Sequence, residues 1–495
     1  MIDDKKVIIP LKKQPLESER REINQRRNMI ISLVAISIFC LAAGLMLGNS
    51  ITSAIYHKQD SLVSSNDGVM DEIEYIMENY WLYGDDYDDL KKELEDRAYY
   101  GMTTFSEDPY TTYMSVDEIN EFSTSINMDY VGIGVQFSLL EDIATINKVF
   151  KNSPAEKAGL QVGDIIKKVD GVSIEGCDTT QIKEKVVGED GTAVIISVLR
   201  EGKMLDVSVI RGAVDSSVYA YISNGIPVLE LMSFGEATGK ECVEYLNDFV
   251  AYDRLIIDLR DNSGGYQSSV EEIAGLFIGN NEIYMKQKDV YGNTRNDYTK
   301  CTRTYDNFKK IVILINSNTA SAAEVMAICL KESLDDVTLV GTTTFGKGVV
   351  QSNRILSNGG DLKFTSSMWY SPNGVSIHKE GVKPDIEVKL PDVMYEYVPN
   401  MEDEQIYDVD EVSGCIRFIE LAMEYLDYDV ERTDGYFDES LSDALRQFKM
   451  EKGLGDDGLL DNATYEAVIS ALTYESSKNQ NKDTQICKAI ELLKE

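Results

Sequence analysis

Ser321 is the first residue of the chain that suggests nucleophilic chemistry. It follows an apolar strand pattern at residues 310–316 and precedes an apolar helical run. The free N–H groups and the dipole at a helix start favour negative charge, as the oxyanion formed by nucleophilic attack on a carbonyl requires. The alternative interpretation is a helix N-cap, a position that serines often occupy. This segment alone does not separate a nucleophile from a cap.

Lys347 is the candidate general base. It lies between two glycines in a loop that follows the apolar strand pattern at residues 337–341. If it is buried beside Ser321, desolvation lowers its pKa and its amine can accept the serine proton. A solvated loop lysine is the alternative. Gln351, four residues further along, could hydrogen-bond the amine and orient it.

A third segment, residues 258–265, could stabilise the oxyanion. It follows an apolar strand pattern and ends in Gly264 and Gly265. Paired glycines permit close backbone approach and unusual backbone angles. Their N–H groups could form half of an oxyanion hole, with the N–H of Ala322 as the other half. The alternative is an ordinary turn between a strand and a helix.

The sequence lacks the residues that other hydrolytic mechanisms and nucleotide cofactors require. The chain has two histidines, His57 and His378, so a Ser-His-Asp triad could be built only around His378. No H-E-x-x-H or C-x-x-C motif offers zinc ligands, and no Walker loop is present. The pair Gly132 and Gly134 lacks the third glycine of a dinucleotide fingerprint. A serine with a lysine base remains, and we expect neither a metal nor a cofactor.

Composition and charge limit the class of protein. With 43% hydrophobic and 27% charged residues, most of the chain should fold, and 495 residues require several domains. The net charge of −37 repels phosphates, so a nucleic-acid partner is excluded. The seven cysteines show no paired spacing that would indicate a disulfide framework.

The N-terminus predicts a membrane anchor. Residues 29–48 form an uncharged, mostly apolar run close to the length needed to span a bilayer. Residues 1–28 hold eight Lys or Arg against five Asp or Glu, so the positive-inside rule puts them in the cytoplasm. No signal-peptidase site closely follows the run. We therefore predict an uncleaved, single-pass protein of the cell membrane with everything after about residue 50 outside the cytoplasm.

The remaining chain predicts a multidomain α/β protein. Helical spacing of apolar residues is followed by short β-rich runs, then by alternating strands and helices, then by an acidic stretch and three helices. The predicted parts are a helical N-terminal region at 62–128, a β-rich domain at 129–212, an α/β core at 213–391, an acidic linker at 392–412, a three-helix domain at 413–474 and a tail at 475–495.

Together, the three chemical segments resemble the carboxyl-terminal processing peptidases, also called tail-specific proteases. The resemblance rests on Thr-Ala-Ser-Ala-Ala-Glu at 319–324, Phe-Gly-Lys-Gly-x-x-Gln at 345–351, residues 258–265 and Asp-Pro-Tyr-Thr-Thr-Tyr-Met at 108–114. It implies that Ser321 is the nucleophile, Lys347 the base and Gln351 its orienting residue. Ala323 and Ser263 depart from the usual serine and proline, and neither change removes a catalytic group.

Residues 129–212 resemble a PDZ domain. The matching stretches are Val-Gly-Ile-Gly-Val at 131–135, Ser-Pro-Ala-Glu-Lys-Ala-Gly-Leu at 153–160 and Val-Gly-Asp-Ile-Ile at 162–166. A substrate C-terminus would add to such a domain as a strand. The resemblance implies a domain that recognises tails and gates the active site. The residues expected to meet the substrate carboxylate are Val131, Gly132, Ile133, Gly134 and Val135.

Residues 413–474 resemble a peptidoglycan-binding domain, with Asp-Gly-Tyr-Phe at 434–437 and Asp-Gly at 457–458 in family positions. A generic helical adaptor is the alternative. The expected partners are therefore substrate C-termini, the membrane, peptidoglycan and, by analogy, a second copy joined through the helical N-terminal region. Two other functions stay open: a non-catalytic PDZ and wall-binding scaffold, and a cell-wall hydrolase, for which no glycosidase or amidase constellation is recognisable.

Overall fold

The computed structural model describes residues 68–128, 130–140, 143–200, 203–214, 216–402, 404–478 and 480–495. The predicted cytoplasmic segment 1–28 and membrane span 29–48 lie outside these residues. Within the described ranges, no helix is both long and apolar enough to cross a membrane. The chain divides into two compact units, with the boundary along the sequence between Ala98 and Tyr99, and each unit is described by itself.

The first unit contains helix α1 (Val69–Tyr80), a 3-10 turn (Gly84–Asp86) and the start of α2 (Leu90–Thr103). No residue of α1 is buried. The second unit continues with strand β1 (Thr112–Met114) and helix α3 (Val116–Asn127). Helix α3 begins at an N-cap serine and ends at Met128 in a left-handed conformation, so its length is set by local signals at both ends.

The predicted PDZ domain is a β-sheet in the order β3-β4-β5-β7-β8, with β6 paired to β5 and a separate β2–β9 pair. Alternate residues such as Ala144, Ile146 and Ile166 point into one apolar core beneath its helices. The elements are β2 (Tyr130–Gly132), β3 (Val135–Leu140), β4 (Ile143–Val149), α4 (Pro154–Ala158), β5 (Ile165–Val169), β6 (Val172–Ser173), α5 (Thr179–Val186), β7 (Ala193–Arg200), β8 (Lys203–Ile210) and β9 (Gly212–Val214).

A six-stranded sheet forms the predicted protease core, in the order β10-β11-β12-β15-β16-β19. Strand β10 is antiparallel to β11, and the other neighbours are parallel. Helices α6 (Thr238–Asp248), α7 (Gln267–Ile278) and α8 (Ala322–Ser333) contribute to the apolar core on one face. The strands are β10 (Val218–Ser223), β11 (Ile226–Leu231), β12 (Arg254–Asp258), β15 (Lys310–Ile315), β16 (Val337–Gly341) and β19 (Ile386–Glu387).

The opposite face of this sheet is covered by the last helix of the chain, α12 (Thr484–Lys494). Its Ile486, Ile490 and Leu493 pack against strand residues that include Val312 and Leu314. Parallel strands are apolar on both faces and need cover on both. The segment predicted as a tail, 475–495, therefore contains a helix that belongs to the core around this sheet.

A second sheet carries further residues of the predicted site. Its path is β1-β18-β13-β14, with β17 paired to β18, so the N-terminal strand β1 joins strands from much later in the sequence. Strand β17 carries Gln351, and β18 carries Lys363. The strands are β13 (Ile283–Asp289), β14 (Thr294–Tyr298), β17 (Val349–Ile355) and β18 (Asp361–Tyr370).

The C-terminal domain has three helices, α9 (Gly414–Tyr425), α10 (Glu439–Lys452) and α11 (Asn462–Lys478). Met401 and Tyr407, from the segment predicted as an acidic linker, are buried in its apolar core. Part of that segment therefore packs with the domain that follows it. Helix α11 also packs against β3.

Candidate active site

Ser321 immediately precedes helix α8, in the loop that follows β15. Its φ is +55°, a left-handed value that is uncommon and strained for a residue with a side chain. The loop is fixed by Thr319, whose hydroxyl donates to the carbonyl of Leu259 at 2.8 Å. A strained residue held by its surroundings is typical of active sites.

Glu324, in the first turn of α8, joins the serine to the lysine loop. Its fully buried carboxylate accepts hydrogen bonds from the N–H of Ser321 at 2.8 Å and of Lys347 at 2.9 Å. It also accepts from the N–H of Gly346 and the hydroxyl of Thr344. Burial raises the pKa of Glu324, and these donors oppose that shift. Sequence reasoning gave Glu324 no role, although a serine followed three residues later by glutamate is a recognisable capping-box pattern.

Lys347 and Ser321 line the same cavity, which has a volume of about 700 Å³. Burial lowers the pKa of Lys347 to about 8, and repulsion from Lys363 adds to the shift while Glu324 opposes it. The amine nitrogen lies 4.8 Å from the centroid of the Tyr110 ring. Across the described part of the chain, no hydrogen bond joins this amine to Ser321. The structure therefore brings the two residues to one cavity, with the Lys347 amine over the face of the Tyr110 ring.

Tyr110 belongs to the stretch 108–114, for which sequence reasoning proposed no role. The preceding Asp108 accepts a hydrogen bond from the Thr365 hydroxyl of β18 at 2.9 Å. The loop is thereby attached to the sheet that carries Lys363. The family-like motif was the available signal, but the aromatic contact with Lys347 depends on a tertiary arrangement that a motif does not specify.

Gln351 lines the cavity from β17. Its side-chain nitrogen is buried and has no hydrogen-bond partner among the described residues. The structure contains no hydrogen bond between Gln351 and Lys347 within those residues. The predicted orienting contact is thus missing from this arrangement, although both side chains face the same cavity.

The glycine pair approaches the serine closely. A Cβ atom built on Gly264 would lie 2.8 Å from the Cβ of Ser321, and its φ is +110°, so only glycine fits there. The N–H of Gly264 donates to Asn262 at 2.8 Å and is not free. The N–H groups of Gly265 and Ala322 have no acceptor within the described ranges. Of the three N–H groups predicted to form the oxyanion hole, those of Gly265 and Ala322 are therefore unoccupied here, whereas that of Gly264 already has an acceptor. Their role in binding an oxyanion stays a prediction.

Apolar side chains form part of the remaining cavity wall. Helix α3 supplies Ile119, Phe122 and Ile126, and the core supplies Val325 and Trp369. Such a wall favours the apolar side chains of a peptide next to Ser321. His378 does not line this cavity; its backbone lies against Gly348, where an added Cβ would lie 2.6 Å from the Cβ of His378.

The predicted peptide-binding loop lies outside this cavity, in the PDZ domain. Val131 and Gly132 belong to β2, and Val135 begins β3, the edge strand of the sheet. The Ile133 carbonyl accepts from Ala155 at 2.7 Å. Gly134 has a φ of +80°, and a Cβ there would clash with Ser153. An edge strand following a tight turn is the feature that strand addition requires.

Three known protein families match three different parts of the chain. Residues 225–388 match the family described as Peptidase family S41, residues 131–210 match a PDZ domain, and residues 416–468 match a peptidoglycan binding domain. The matched ranges cover the protease core, the β-rich domain and the three-helix domain.

Full-length relatives show the same family. Carboxy-terminal processing protease CtpA of Bacillus subtilis is 30% identical over 478 residues, covering 95% of this chain and 99% of that protein. CtpB of the same organism is 30% identical over 87% of this chain and 90% of that protein. A CtpA-like serine protease of Staphylococcus saprophyticus is 28% identical, with 96% of each chain covered. This chain belongs to peptidase family S41 and is a carboxyl-terminal processing serine protease with PDZ and peptidoglycan-binding domains.

Proposed function

We propose that this protease hydrolyses polypeptides near their C-termini with Ser321 as nucleophile and Lys347 as general base. The observation that carries the proposal is the shared cavity of the two residues, in which burial lowers the pKa of Lys347 to about 8. A lysine with that pKa is substantially neutral at slightly alkaline pH and can accept a proton. The intact pair also argues against the non-catalytic scaffold.

The reaction follows from the positions of the donors. The neutral amine of Lys347 takes the proton of the Ser321 hydroxyl as its oxygen attacks the scissile carbonyl. The resulting oxyanion accepts hydrogen bonds from the N–H groups of Gly265 and Ala322. The Lys347 ammonium then gives its proton to the leaving amine, and water hydrolyses the acyl-enzyme with the lysine again acting as base.

A side-chain movement precedes the first step. The Lys347 amine is 4.8 Å from the Tyr110 ring centroid and is not hydrogen-bonded to Ser321 among the described residues. A cation over an aromatic ring is stabilised in its charged form. To act as a base, the amine leaves this ring and reaches the serine oxygen. Catalytic hydrogen bonds are often incomplete until substrate is bound.

The PDZ domain gates the reaction in this proposal. A substrate tail adds to the edge strand β3, and its carboxylate meets the N–H groups of residues 131–135. Support for coupling comes from an ion pair between Lys148 of β4 and Glu230 of β11, with 2.6 Å between nitrogen and oxygen. Because β11 belongs to the protease core, movement of the PDZ sheet has a direct contact through which to act.

The proposed location is outside the cytoplasm, with residues 29–48 as a single membrane anchor and peptidoglycan as the ligand of the C-terminal domain. The support is the apolar run, its basic N-terminal flank and the peptidoglycan binding domain match. Two copies could associate through the helical N-terminal region. Recovery of the full chain from cells without detergent would count against the anchor.

Substitution of the dyad tests the proposed chemistry. In full-length protein purified in detergent, Ser321→Ala and Lys347→Ala should each abolish cleavage of an unstructured protein with an apolar C-terminus, a loss of at least about a thousandfold. Ser317→Ala, an exposed serine in the same loop, is the matched control and should cleave normally. Undiminished cleavage by Ser321→Ala would contradict the assignment, and muropeptide release would favour a cell-wall hydrolase.

A further inference from the structure

The active-site cavity contains a second lysine that the reaction does not use. Among the described residues that line it, the charged side chains are Lys347 and Lys363, and no Asp or Glu is present. This is unusual for a chain with a net charge of −37. The cavity is therefore a locally cationic site in a strongly acidic protein.

Lys363 lies near the start of β18, between Thr112 of β1 and Asn353 of β17. Its amine nitrogen is 4.4 Å from the centroid of the Phe122 ring on α3. Within the described ranges, it makes no ion pair. The acid that influences it is Asp361 on the same strand, whose carboxylate accepts a hydrogen bond from Asn353.

An unpaired, half-buried ammonium is unfavourable, because it loses hydration without gaining a counter-charge. Burial lowers the pKa of Lys363, and the nearby Asp361 opposes this. The Phe122 ring offsets only part of the lost hydration. A half-buried charged group without a counter-charge inside a cavity is typical of binding sites, where the ligand supplies the opposite charge.

We propose that Lys363 is a subsite that binds a carboxylate of the substrate while Ser321 attacks a peptide bond in the same cavity. This rests on the proposed function of Ser321. Both a chain terminus and an acidic side chain carry the required group. A cavity of about 700 Å³ holds only a short peptide segment, so a terminal carboxylate that has left the PDZ domain and lies on Lys363 would fix the cleaved bond a few residues from the end.

Two pairs of peptides distinguish the sources of the carboxylate. The first pair is identical except for a free or amidated C-terminus, and the second, both amidated, has Asp or Asn close to the terminus. The ratio of kcat/KM within each pair is measured for the full-length enzyme, Lys363→Met and Lys363→Arg. Lys288→Met, an exposed lysine on the neighbouring strand β13, is the matched control.

The wild-type enzyme should prefer one carboxylate peptide over its neutral partner by about tenfold, the usual size of a charge-assisted contact. Lys363→Met should lower the preference by about this factor, whereas Lys363→Arg and Lys288→Met should keep it. Loss in the first pair assigns the terminal carboxylate, and loss in the second assigns an acidic side chain. Any carboxylate preference that arises in the PDZ domain is common to all four proteins and cancels in the comparison.

An unchanged preference in Lys363→Met would overturn the subsite and leave the catalytic role of Ser321 intact. A wild-type enzyme that cleaves none of the peptides or unstructured proteins would overturn the proposed function and the subsite together. Thermal unfolding of each variant is measured first. If Lys363→Met does not fold, Lys363→Gln, which keeps a polar side chain of similar reach, takes its place under the same criteria.

Discussion

In the proposed mechanism, Lys347 determines how activity depends on pH. Its neutral amine is the proposed base, and burial lowers its pKa to about 8. The neutral fraction therefore increases with pH up to that value, so kcat/KM should rise about tenfold per pH unit below pH 8 and level off above it. The measurement uses a peptide without titratable side chains between pH 6 and 9.5. A flat profile between pH 6 and 8 would exclude a lysine base.

The positive charge of Lys363 provides a control for the pH profile of kcat/KM. Lys363 repels the charged form of Lys347 and so lowers its pKa. Replacement by methionine removes the repulsion, which should move the rising limb of the profile to higher pH. Lys288→Met, away from the cavity, should leave the limb where it is. A downward shift with Lys363→Met would show that burial changes outweigh the repulsion.

At the scale of single residues, the sequence predicted which residues meet in the cavity better than it predicted their hydrogen bonds. Ser321 could be recognised from the strand pattern before it and the helix pattern after it, and Lys347 from its flanking glycines. Both residues line one cavity. The availability of the Gly264 N–H was not recognisable, because it depends on the side chain of Asn262. The resting place of the Lys347 amine depends on Tyr110, a residue from a distant part of the chain.

Glu324 connects two elements, the start of α8 and the loop that carries Lys347. One of its carboxylate oxygens accepts from the N–H groups of both Ser321 and Lys347. In Glu324→Gln, one oxygen becomes an NH₂ group, so two of the four donors lose their acceptor. Each unsatisfied buried donor costs about 1–3 kcal/mol. We expect kcat to fall about a hundredfold with a smaller change in KM, because the dyad is misplaced while the cavity remains.

Glu332→Gln at the opposite end of α8 is the matched control. Its carboxylate accepts from the hydroxyl of Ser371 at 2.8 Å and the N–H of Asn373 at 2.7 Å, so it also joins the helix to a loop. It does not line the cavity. Thermal unfolding and kinetics should show a stability loss in both variants and a kcat loss only in Glu324→Gln. Equal kcat in the two variants would mean that Glu324 is merely structural.

The central strands could be predicted as elements, but not their partners in space. Apolar runs at 254–260, 310–316 and 337–341 overlap β12, β15 and β16. The pairing of β1 with β18 could not be predicted, because it joins segments from opposite ends of the core and β1 has only three residues. That pairing matters for the site, since it lies beside Lys363.

At the scale of the whole molecule, the C-terminal domain is inserted within the protease core. The chain leaves the core after β19, forms α9 to α11, and returns with α12 to the open face of the central sheet. Strands that are apolar at every position after the first, such as β15, indicate that both faces need cover. The sequence does not identify which helix supplies that cover, since a short amphipathic pattern fits many surfaces.

Leu493 in α12 tests whether the last helix belongs to the core. Its side chain is fully buried against the central sheet, so Leu493→Ala should lower the free energy of unfolding by about 2–5 kcal/mol. Glu491→Ala, exposed on the same helix, should have little effect. Urea unfolding and peptidase activity of the full chain provide the measurement.

Truncation before α12 should abolish activity even though the dyad and the PDZ domain remain, because one face of the sheet that carries the Ser321 loop is then open to water. A truncated enzyme with wild-type activity and stability would show that α12 is only a surface attachment.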